Sequence, residues 1–99
     1  MNNEIAQNEK TILDLTMEIL SQDKKFKEKG IVFRVNKETF QQDPYESKIT
    51  IDLLYDDEII DFIEFIVYEN GKLIKSIEMF KNWLIETLNN TYLILTQYD

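Results

Sequence analysis

From residue 4 to residue 28, apolar side chains return at the step of a helix. Ile5, Ile12, Leu13, Leu15, Met17, Ile19, Leu20 and Phe26 fall on one broad stripe, while Gln7, Lys10, Asp14, Glu18, Ser21 and Lys25 fall opposite. Asn2 or Asn3 suits the start as a cap. Lys24, Lys25, Lys27 and Lys29 gather where the negative end of the helix dipole favours cations, and Gly30 supplies the stop.

The period then changes to two. Ile31, Phe33 and Val35 alternate with Val32, Arg34 and Asn36, the signature of a half-buried strand. Residues 37–47, with Asp43-Pro44 and Tyr45, read as a loop. Ile49, Ile51, Leu53 and Tyr55 alternate with Thr50, Asp52 and Leu54 as a second strand, and Asp56-Asp57-Glu58 reads as a turn. A nearly continuous apolar run through Phe62, Ile63, Phe65, Ile66, Val67 and Tyr68 predicts a third strand. Asn70-Gly71 is a two-residue hairpin signal, because both residues tolerate positive φ, and it can return a short strand over 72–75.

Ser76 suits the cap of a second helix over 77–89, with Ile77, Phe80, Leu84 and Leu88 as its buried stripe. Asn89-Asn90 can end it, and the β-favouring residues Thr91 to Tyr98 predict a last strand. The expected fold is α+β. A single domain over 1–99 holds two layers: an antiparallel sheet of about four strands (a meander plus the C-terminal strand), with the N-terminal and later helices packed on one face.

Composition narrows the function more than the fold. The 99 residues include no Cys and no His, so disulfides, Ser-His and Cys-His nucleophile pairs and the usual zinc and haem ligands are excluded. The two glycines stand apart at 30 and 71, so no phosphate-cradling loop exists. Asp56-Asp57-Glu58 lacks the spacing of a calcium loop. No catalysis and no cofactor are expected. Fourteen Ile, eight Asn and a basic set that is nearly all Lys point to a low-GC bacterial, phage or plasmid gene. The first residues have neither a basic leader nor an apolar core, and no run spans a bilayer, so a cytoplasmic protein is expected.

Charge separates the halves. Residues 1–50 hold nine acidic and eight basic side chains; residues 51–99 hold ten acidic and three basic, which carries most of the net −8. Direct binding to nucleic acid or to an anionic membrane is therefore not expected, whereas a protein partner with a basic surface is. Asp52, Asp56, Asp57, Glu58, Asp61, Glu64 and Glu69 form the densest stretch, with no Lys or Arg between Lys48 and Lys72. They read either as the solvated face of a hairpin or as a carboxylate row that imitates the spaced charges of a nucleic-acid backbone. Met79 and Trp83, four apart at the edge of the later helix's stripe, read as an interface anchor or as cover for the sheet margin. Tyr45 is a weaker candidate of the same kind.

The expectation is a small acidic binding protein, an inhibitor or antagonist that occupies a basic site on a nucleic-acid-acting enzyme or toxin. The alternative is an assembly module: a homodimer, or a subunit of a complex, joined through the Met79–Trp83 margin or a free sheet edge. Small acidic α+β chains without catalytic residues are common among toxin-immunity and anti-CRISPR proteins. That is an analogy of class, and no motif carries it.

Overall fold

The structure, a computed structural model, describes residues 3–97. Helix α1 (Asn3–Gln22) leads through the short α2 (Lys25–Glu28) into β1 (Val32–Gln42), β2 (Tyr45–Tyr55), β3 (Glu58–Glu69) and β4 (Lys72–Leu73), and α3 (Ile77–Thr96) closes the chain. The four strands form one curled antiparallel sheet in the order β1-β2-β3-β4, and the helices cover one of its faces. The fold is α+β, as the patterning predicts. Among the described residues no helix is long and apolar enough to cross a membrane.

The first helical stretch breaks at Asp23, whose carboxylate accepts from the main-chain N–H of Lys25 (3.0 Å) and Phe26 (3.3 Å). Such a side-chain bond competes with the helix ladder and restarts it as α2. Gly30, at φ 79°, then stops α2: its N–H reaches the Lys27 carbonyl, and the N–H of Ile31 reaches Phe26. The inward positions of α1 are Glu9, Ile12, Thr16 and Leu20. Met17, expected in the stripe, points to solvent because Thr16 takes the inward place, its hydroxyl satisfied by the Ile12 carbonyl at 2.8 Å. Asn3 is the first residue of α1; Asn2, the other proposed cap, lies outside the described residues.

Two expected boundaries are corrected. Residues 37–47 are not a long loop: β1 runs to Gln42, a two-residue turn at Asp43-Pro44 follows, and β2 starts at Tyr45. The polar run Asn36 to Gln42 hides a strand because β1 lies at the sheet edge, where both faces reach water. The proposed C-terminal strand is helix instead, and its last residue, Tyr98, lies outside the described residues. Tyr92 continues the Leu84–Leu88 step and packs edge-on against the fully buried Phe26, with ring centroids 5.3 Å apart. Burying an aromatic ring stabilises by about 1.5–3 kcal/mol, more than the difference in strand propensity. The fourth strand is the short one after Asn70-Gly71, both at positive φ.

Register sorts the sheet into two faces. On the covered face, Val35, Ile51 and Ile63 share one row, and Lys37, Ile49 and Phe65 the next. Phe65 meets Phe80 and Trp83 of α3 at 4.6 and 5.5 Å between centroids. Among the described residues no helix lies on the other face.

Candidate functional site

Cross-strand partners stand about 4.5–5.5 Å apart and point to the same side of a sheet. At one end of the open face this aligns Val32, Leu54 and Ile59 in one row and Arg34, Asp52 and Phe62 in the next. Val32, Ile59 and Phe62 are 64%, 54% and 59% exposed, high values for large apolar side chains. An extra residue in β3, Ile60, sits where the register with β2 shifts, and it is this shift that leaves Ile59 and Phe62 on the same face. The turn Asp56-Asp57 and the first residue of β3, Glu58, lie at the end of this patch, all exposed. The result is an exposed apolar patch with three carboxylates at one end.

The remaining acidic candidates do not form one row. Asp52 is on the open face but accepts from Arg34 Nη2 at 3.0 Å, and Glu64, also on that face, holds Lys48 at 3.2 Å. Hydrogen bonding to Glu64, aided by its charge and that of Glu38, keeps the Lys48 ammonium above the ordinary lysine range. Asp61 faces the other side, in the row of Phe33 and Leu53, and accepts from the N–H of Phe62 at 2.8 Å. Asp56, Asp57 and Glu58 are thus the carboxylates that the turn groups beside the apolar patch. Met79 and Trp83 part company too. Trp83 packs at the sheet margin on Phe65 and Phe80, while Met79 is 59% exposed in the first turn of α3.

A second cluster lies under α1. Glu9, nearly fully buried, accepts from Tyr45 Oη, at 2.9 Å to each carboxylate oxygen, from Ser47 Oγ, and from Lys37 Nζ at 3.1 Å. Thr39 Oγ1 shares the Tyr45 hydroxyl at 3.0 Å. Burial works against the charged form of Lys37, but the hydrogen bond and charge of Glu9, with Tyr45, outweigh it and raise its pKa. Tyr45 is therefore a core residue, not a loop anchor. The sequence reading passed over Glu9, whose signal was its place on the apolar stripe, four after Ile5 and three before Ile12. Ser47 is fully buried and Tyr45 nearly so, and the cluster works as a polar tie between α1, β1 and β2.

Among the described residues no three acidic side chains converge to hold a metal ion. No protein-family model matches the chain, and comparison with curated proteins and with solved structures finds no match either, so geometry alone carries the functional reading.

Proposed function

We propose that this chain is a non-catalytic binding protein, an antagonist that sets the open end of its sheet against the basic surface of another protein. The observation that carries the reading is the juxtaposition of exposed Ile59 and Phe62 with Asp56, Asp57 and Glu58. Apolar anchors ringed by charge supply affinity at the centre, and orientation and association rate at the rim. A partner that fits is one whose basic site otherwise takes nucleic acid, which makes a nucleic-acid-acting enzyme or a toxin the target class.

The turn itself supports this. One hairpin uses Asn70-Gly71, the favoured pair for two positive φ values; the other places Asp56 and Asp57 at φ 51° and 64°. Two adjacent carboxylates in left-handed backbone are a costly way to make a turn, and binding is a reason to keep them. A cysteine-free acidic chain also suits a reducing cytoplasm.

Affinity capture from a lysate of the native host tests the proposal, using the wild type, Phe62→Ser, and the triple Asp56→Asn, Asp57→Asn, Glu58→Gln. The expected result is one stoichiometric basic protein, retained by the wild type and released by both variants. Equal retention by all three would remove this surface from the reading.

A further inference from the structure

Among the described residues the outer strand β1 is paired on one side only, and its register with β2 is unbroken from Val32 to Thr39. An edge of that length presents main-chain donors and acceptors that another strand can satisfy. The opposite rim is guarded. Beyond Tyr68 and Glu69, which β4 covers, β3 carries Glu58, Asp61 and Glu64 without a basic residue, and extra residues at Ile60 and Val67 bend it. Like charges and bulges discourage pairing there. β1 instead carries Arg34, Lys37 and Glu38, with its one shift at Phe40.

We propose that two copies of this chain join through β1, antiparallel about a two-fold axis at Asn36, merging two four-stranded sheets into one. This register is singled out by the sequence of the strand. Centred on Asn36, Arg34 of each copy opposes Glu38 of the other, and exposed Val32 comes beside exposed Phe40, each contact occurring twice. Centred on Val35, Glu38 opposes Val32 and no opposite charges meet. Axes at Arg34, Lys37 or Glu38 set like charge against like. Within one copy Arg34 already leans on Asp52 at 3.0 Å, and Lys48 bridges Glu38 at 3.6 Å and Glu64 at 3.2 Å. In the joined sheet these pairs become a single ladder of alternating sign: Asp52 and Arg34 of one copy, then Glu38, Lys48 and Glu64 of the other.

The chain has no cysteine, which gives a clean test of both the dimer and its register. Sedimentation equilibrium of the full chain in the micromolar range should give twice the 11.9 kDa of one copy. Under mild oxidation Asn36→Cys should link to itself, because facing residues in an antiparallel pair stand about 4.5–5.5 Å apart, within disulfide reach. Thr50→Cys, its neighbour one strand inward, should not. Arg34→Cys mixed with Glu38→Cys should cross-link, whereas neither does so alone. Arg34→Glu should yield monomers, and adding Glu38→Arg should restore the dimer, with circular dichroism checking that each variant is folded. A wild-type mass of one copy would overturn the proposal. So would open-ended growth with concentration, which means head-to-tail joining of β1 to β3, or an Asn36→Cys cross-link no stronger than that of Thr50→Cys.

Discussion

Glu9 shows how much one side chain can decide. It receives two hydroxyls and an ammonium in a place that the apolar stripe would assign to a leucine. Removing one member of a buried, paired set costs about 3–5 kcal/mol, and Glu9→Ala is expected to lower the urea-unfolding free energy by that amount. Glu9→Leu combined with Tyr45→Phe and Ser47→Ala removes donors and acceptor together and is expected to recover most of the loss. The tie also has a pH signature. The pKa of Lys37 is raised in the folded chain above its ordinary 10.5, so its contribution is complete below that value and is lost as pH rises through the folded one. The stability gap between wild type and Lys37→Met should therefore be widest near neutrality and narrow in alkali. Urea melts of both proteins across the alkaline range check this.

At the scale of elements, alternation was readable wherever one face of a strand is dry and the other wet, as in β2, where Ile49, Ile51 and Leu53 are all buried; Tyr45 and Ser47, buried on the same face, were read as loop. It failed at β1 beyond Asn36, because an edge strand does not need apolar residues to stay in register. It failed at α3 as well, where Ile, Thr and Tyr promised a strand but Leu88 and Tyr92 stand a helical step apart on the core. The candidate site was half legible. Asp56 to Glu58 stood out as charge, but Ile59 lay outside the predicted third strand, and Phe62 opened an apolar run in which no strict parity separates the dry face from the wet one. The turn carries its own prediction. Replacing Asp56-Asp57 by Asn-Gly relieves left-handed strain and is expected to stabilise the fold by on the order of 1 kcal/mol in thermal melts. On the proposed function the same variant should lose the captured partner, trading binding for stability.

The whole molecule is elongated, 45 × 25 × 19 Å, with its helices on one side of the sheet and bare strands on the other. Its formal charge of −8 acts over the distance of a Debye length, so the proposed basic partner would be drawn in before any side chain touches. Exposed charge pairs contribute only about 0.2–1 kcal/mol each, so no single carboxylate should matter much. The triple variant of Asp56, Asp57 and Glu58 is expected to slow association more than it quickens dissociation. Stopped-flow rates at low and high salt should differ between wild type and variant only at low salt; an equal gap at both would assign these residues to short-range contact.

Ile60 has a further consequence, for how the chain tolerates changes of length. A residue added or lost elsewhere in β3 would turn over every side chain up to the next irregularity, sending Ile63 and Phe65 to water. Losing Ile60 turns over nothing: Leu53 would still face Asp61, and Leu54 would still face Ile59. Ile60, unlike the buried extra residue Val67, is thus a position at which a codon can be dropped while the acidic tip and the two faces of the sheet stay as they are.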